Sequence, residues 1–158
     1  MKINFQDLNA NLKIANNPLL FLVEGDEILQ RDEACHKIRT YFLTQNFEPG
    51  QRETVTKDFD FQKFLTHYRQ RSILTHSLFF ELQFESEKIN SETQEFFETI
   101  SNLSDHSRGL IVIFKKLDAK LLKSPLLKKM ENKFLWVKCW PLQGYALQNF
   151  MTQRFHHY

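Results

Sequence analysis

Glycine and proline are scarce in this 158-residue chain, four of each, and no Pro/Gly/Ser-rich stretch or repeat interrupts it. A long disordered tract or linker is therefore excluded, and one domain with a real core is expected. Cysteine is scarcer still. Cys35 and Cys139 stand far apart and belong to no CxxC or Cys/His cluster, which reads as two buried thiols in a reducing compartment rather than a disulfide framework or a zinc site. Excess charge is also missing: the formal net charge is +2, too small to indicate nucleic-acid binding unless a local patch supplies it. No run approaches the ~20 apolar residues of a membrane span. The stretch Met1–Gln6 is polar and the first apolar run, Pro18–Val23, is short and ends at Glu24, so no signal peptide is expected and a cytoplasmic protein without a membrane partner follows.

What the chain does have is phenylalanine, sixteen residues of it, enough to build a core or interface largely from rings. Apolar runs alternate with amphipathic segments. Leu19–Val23, followed by Gly25, reads as a buried strand; Asp26 to Asn46 reads as a helix that Asp26 can cap. Glu48-Pro49-Gly50 reads as a break and Arg52–Thr56 as an edge strand, after which Phe59–Arg69 returns to a helix. Leu78–Phe84 is a third strand. Asn90–Leu103 is a helix with a Ser91-x-x-Gln94 capping box, and Gly109–Phe114 is a strand covered on both faces. Lys115–Lys133 is a basic segment interrupted by Pro125, Phe134–Cys139 is a fifth strand, and Pro141 is placed at the start of a last helix. Strands separated by helices predict an α/β fold, a parallel five-stranded sheet with helices on both faces.

In such folds the first strand–turn–helix is where phosphates bind. A working P-loop has G-x-x-x-x-G-K-S/T, with glycines for close approach, a lysine for the phosphates and a hydroxyl for Mg²⁺. The register here is Gly25-Asp26-Glu27-Ile28-Leu29-Gln30-Arg31-Asp32. Only Gly25 survives. Gln30 places a side chain where backbone should close on phosphate, and Asp26, Glu27 and Asp32 outweigh Arg31, so this degenerate turn is not expected to bind nucleotide. A Walker-B strand should end in a Mg²⁺-holding acid; the third strand offers only Glu81, read as a solvated or edge carboxylate. No Ser-His-Asp, Cys-His or H-E-x-x-H arrangement is present, His156-His157 reads as a frayed terminus, and neither intrinsic catalysis, cofactor nor metal is expected.

Two other segments invite attention. Between the second helix and the third strand lies Gln70-Arg71-Ser72-Ile73-Leu74, where two adjacent aliphatics interrupt a polar loop. Ile73 and Leu74 either fold back into the core or are held out to enter a partner's pocket, where burial of each contributes roughly 1.5–3 kcal/mol. The lysines 115, 116, 120, 123, 128, 129 and 133 form either a solvated helix face or a patch toward DNA, with Lys115, Lys116, Lys120 and Lys123 the foremost DNA-facing candidates.

The order of elements resembles the N-terminal, AAA+-like domain of the delta subunit of bacterial DNA polymerase III, the clamp-opening subunit of the clamp loader. The resemblance runs along the whole chain and is carried by Leu19-Leu20-Phe21-Leu22-Val23-Glu24-Gly25-Asp26-Glu27, by Phe114-Lys115-Lys116-Leu117, and by Val137-Lys138-Cys139-Trp140-Pro141-Leu142. It implies a non-catalytic subunit that binds and opens the β sliding clamp. It places a Ser-Leu-Phe-like clamp motif on Ser72-Ile73-Leu74, with Gln70 suiting the pattern Q-x-S-L-F; Ile and Leu here stand for the family's Leu and Phe and fill less of a pocket. It also implies a clamp-binding domain over 1–140, a terminal helix over 141–158 leading to a second domain, gamma/tau and delta-prime subunits as partners through a collar beyond this chain, and DNA as a partner of the assembled complex. The competing readings are a nucleotide-binding P-loop-fold enzyme with an aberrant loop and an unrelated protein-interaction adaptor.

Overall fold

A computed structural model describes residues 1–14, 18–71, 73, 74 and 76–155; the side chains of Lys120 and Gln153 lie outside that description. The strands are β1 Lys2–Asn4, β2 Leu20–Glu24, β3 Glu48–Val55, β4 Leu78–Phe84, β5 Arg108–Phe114 and β6 Leu135–Lys138. The helices are α1 Leu8–Ile14, α2 Ile28–Thr44, α3 Phe61–Arg69, α4 Ser91–Asn102, α5 Ala119–Leu122, α6 Pro125–Lys133 and α7 Tyr145–Phe155. One sheet has the order β1-β6-β2-β5-β4-β3, and every described ladder is parallel.

The sheet has six strands, not the five read from the sequence. The extra one is the three-residue β1, whose Ile3 pairs with Val137. An edge strand that short carries no alternation long enough to detect, and its polar residues face water. A second correction concerns Pro49-Gly50, which lies inside β3, with the register shifting between Pro49 and Arg52. Proline is tolerated there because β3 is an edge strand and needs no N–H on its open side.

Strand alternation divides the core into two layers. Leu22, Phe80, Leu82, Leu110, Val112 and Trp136 face α3, α4, α5 and α6, whereas Phe21, Val23, Ile111, Ile113 and Val137 face α2 and the segment around Phe5 and Leu8. Most of the phenylalanines sit in these layers, for example Phe42 stacked on Phe79 with centroids 5.0 Å apart. That stack needs Gly109: a Cβ there would lie 2.4 Å from the Phe42 ring.

Helix starts are marked by side chains, one residue from where the sequence placed some of them. Asp60 accepts from Lys63 N, and Ser124 accepts from Leu127 N ahead of Pro125. For α4 the cap is Asn90, which accepts from Thr93 N, not Ser91 with Gln94. Glu27 rather than Asp26 is the N-cap of α2, without a side-chain bond. The last helix begins at Tyr145, not Pro141, because Gly144 at φ +56° turns the chain between them. It packs back on the domain: Phe150 meets Phe5 edge-on at 6.1 Å and Arg154 pairs with Glu33.

Candidate functional site

Parallel strands give the sheet two unlike edges, and the sequence-predicted sites fall on both. At the carboxyl edge, β2 leads into the turn at Gly25, and β5 leads to Lys115 and Lys116. At the amino edge, α3 returns the chain to residues 70–77, which lead into β4.

The Gly25 turn is closed by the chain's own groups. Glu27 N–H donates to Cys139 O at 3.3 Å, and Gly25 N–H to Phe114 O at 3.3 Å. Arg31 Nη1 donates to Gly25 O at 2.9 Å, and Gln30 Nε2 to Trp140 O at 2.9 Å. A Cβ on residue 25 would lie 1.7 Å from Cys139 O, so glycine is required by the segment crossing above it. Beneath the turn, Glu24 is 2% exposed and accepts from Leu117 N and Trp136 Nε1, both at 3.0 Å. It thereby ties the ends of β2, β5 and β6 together. Gln30 is buried, Arg31 half-buried, and Asp26 and Asp32 exposed. Burial pushes the Cys35 and Cys139 thiols up to about 12, and both are free thiols.

Glu81 is not the solvated or edge carboxylate expected, since β4 lies between β5 and β3. It is 6% exposed and takes a bidentate pair from Arg39 at 2.6 and 2.8 Å, with Arg52 at 3.6 Å. Its strand places it on the α2 face, where Arg39 is one helix turn beyond Cys35. Sequence spacing could not show that two arginines from different elements converge there.

At the amino edge, Ile73 and Leu74 are 95% and 90% exposed, so the fold-back into the core does not occur. Gln70 is exposed and serves as the C-cap of α3, its N–H donating to Thr66 O and His67 O. Ser72 lies outside the described residues, as do His156 and His157. The buried Arg108 of β5 reaches this loop, an arrangement that the apolar reading of Gly109–Phe114 passed over; an arginine directly before a fully buried strand was the available signal. Lys115, Lys116, Lys123, Lys128, Lys129 and Lys133 are exposed; Lys115 and Lys116 follow β5 at the carboxyl edge, whereas Lys133 ends α6 just before β6, at the amino edge. Among the described residues no His, Cys, Asp and Glu cluster could hold a metal ion, and no helix is long and apolar enough to cross a membrane.

This architecture, a parallel sheet carrying helices on both faces, is shared with solved structures of clamp-loader proteins. The chain is similar to the DNA clamp loader delta protein of Bacillus subtilis, with a TM-score of 0.65 and 13% identity over 94% of this chain and 46% of that one. It is also similar to a DNA polymerase III gamma-subunit-related protein of Thermotoga maritima, with a TM-score of 0.56 and 9% identity over 93% of this chain and 49% of that one. Saccharomyces cerevisiae Rif2 shares the fold at a TM-score of 0.53 and 15% identity, over 94% of this chain and 65% of that one. The chain thus spans about half the length of the Bacillus subtilis and Thermotoga maritima proteins. No protein-family model and no curated protein sequence matches it.

Proposed function

We propose that this chain is the clamp-contacting domain of a delta-type clamp-loader subunit, which binds a β sliding clamp through Ile73 and Leu74 and helps to open it. The observation that carries the reading is the exposure of both aliphatics, 95% and 90%, on a loop whose stems are fixed to the sheet. Exposed aliphatics held on a support offer apolar area whose burial in a partner's pocket contributes about 1.5–3 kcal/mol each, and the likeness to clamp-loader proteins suggests the kind of partner. Gln70 and Ser72 complete the docking segment. Opening follows from differential binding, the loop favouring a clamp conformation in which one ring interface is strained. Other loader subunits, of the gamma/tau and delta-prime kinds, are the further partners of this reading, reached through a region beyond residues 141–158.

The same reading makes the Gly25 turn structural rather than nucleotide-binding. Its support is that Glu27 N–H, Arg31 and Gln30, which would otherwise face a phosphate, bond to the chain's own carbonyls. The deciding experiment is surface plasmon resonance of the 158-residue chain over an immobilised bacterial β sliding clamp, wild type against Ile73→Ala/Leu74→Ala. The double variant is expected to lose at least about 100-fold in affinity. Binding unchanged by the two substitutions would defeat the assignment. Calorimetric titration with ATP separates the enzyme reading, because saturable binding would sink the structural role of the Gly25 turn.

A DNA contact by Lys115, Lys116, Lys120 and Lys123 belongs to the assembled complex in this reading. Its support is the exposure of Lys115, Lys116 and Lys123, as well as of Lys128, Lys129 and Lys133. It predicts retention of the chain on duplex DNA at low salt that weakens steeply as salt rises.

A further inference from the structure

Arg108 is 1% exposed, in a strand whose other residues, Gly109–Phe114, are all buried without charge. A buried guanidinium is costly unless its donors are satisfied. Its partners show what it is for. Nε donates to Tyr68 O at 2.8 Å, in the last turn of α3, where carbonyls have no helical partner. Nη2 donates to Gln70 O at 2.7 Å, the C-cap of that helix. Nη1 donates to His76 O at 3.2 Å, at the far stem of the loop, and to Ser107 O and Oγ at 2.9 and 3.1 Å. Tyr68 returns a bond from its hydroxyl to Arg108 O at 3.3 Å. Ser107 is itself held by Asp105, whose carboxylate accepts from its N–H and hydroxyl at 2.8 and 2.6 Å.

One planar cation therefore grips both stems of a loop, at residues 68 and 70 on one side and 76 on the other. Ile73 sits midway between Gln70 and His76. An aliphatic residue at 108 would suit the strand and the layer beneath it, but it would leave these carbonyls without donors. Only the fork of a guanidinium reaches carbonyls in such different directions; a lysine offers its donors from a single point.

We propose that Arg108 is the positioning residue for docking: it holds Tyr68, Gln70 and His76 in place so that Ile73 and Leu74 are presented to the clamp. The proposal rests on the docking reading of those two residues. Being buried, Arg108 touches no partner, so it acts on the fraction of molecules competent to dock. Lowering that fraction slows association and leaves dissociation unchanged, whereas removing a contact residue raises dissociation.

The test uses Arg108→Gln and Arg108→Lys in the 158-residue chain. Hydrogen exchange is followed in peptides covering residues 66–77 and, as a reference, 109–114; association and dissociation rates are read over an immobilised bacterial β sliding clamp. The expected result for Arg108→Gln is exchange at least about tenfold faster in 66–77 with 109–114 still protected, and association slowed by about tenfold at an unchanged dissociation rate. Arg108→Lys, the milder change should the glutamine variant fail to fold, is expected to fall between it and wild type. Unchanged exchange in 66–77, a uniform rise across both peptides, or a change confined to dissociation overturns the proposal, and so does full rescue by lysine. Wild-type protein that does not bind the clamp overturns the docking reading instead, while exchange, which needs no clamp, still decides whether Arg108 orders the loop.

Discussion

The two edges of the sheet use the same materials to opposite ends. At the carboxyl edge, the turn at Gly25 has its backbone donors and polar side chains bonded inward, with Cys139 and Trp140 laid across it. At the amino edge, an arginine is buried so that a loop can carry two aliphatic side chains into water. In both places a buried charged group, Glu24 or Arg108, anchors main-chain groups from separate segments. What differs is the product: Glu24 closes a surface, and Arg108 supports one. An exposed apolar pair is informative only together with what holds it, since single exposed aliphatics are ordinary on any protein surface.

The largest effect is expected at Gly25. Replacing it with alanine drives a methyl into Cys139 O and is expected to cost at least about 3 kcal/mol, seen as a lower midpoint in urea unfolding. A near-neutral result would mean the carboxyl edge is not closed as described. At the other edge, Ile73→Ala/Leu74→Ala is expected to leave the unfolding midpoint within the error of wild type, because both residues are already in water. A marked loss of stability would show that the pair is part of the fold.

Smaller effects sharpen the contrast through pH. Burial alone would push the Asp105 carboxyl up, but its bonds from Ser107 and the nearby Arg108 and Arg71 charges outweigh it and hold the group below its ordinary value. A depressed carboxyl contributes stability above its unfolded pKa that is lost as pH falls through the folded one. Acidification below about pH 4 should therefore loosen the 107–108 corner, and Asp105→Asn should flatten that part of a stability profile against pH. At the sealed edge the thiols behave the opposite way. With Cys139 and Cys35 raised from 9.0 to about 12, their contribution is complete below pH 9 and declines as pH rises from there to about 12. Iodoacetamide at pH 8 is accordingly expected to leave both unmodified in the folded chain and to label both in guanidinium; rapid labelling of folded Cys139 would show that the turn is open.

Much of this fold was legible because its signals are local. Leu19–Val23 and Gly109–Phe114 are short continuous apolar runs, which read as buried strands, and they form β2 and β5 almost where expected. The departure of the Gly25 turn from the P-loop pattern is visible in residue types alone, in three carboxylates and a missing second glycine. β1 was not legible, because Lys2, Ile3 and Asn4 are too few to show an alternation and are ordered as a strand by pairing with β6. The start of α7 was misread because Pro141 suits a first helical turn, yet the helix waits until Gly144 has turned the chain.

Residue order alone thus determined the alternation of strands and helices, the parallel sheet this enforces, and the position of Ile73 and Leu74 between α3 and β4. It could not decide whether that pair faces the core or water, because two aliphatics in a short loop have no periodicity to orient them. Nor could it reveal that Glu81 meets Arg39 and Arg52 or that Arg108 spans the loop's stems. Those bonds join residues brought together only when the sheet forms, and long-range geometry of that kind is written in the packing of the whole chain.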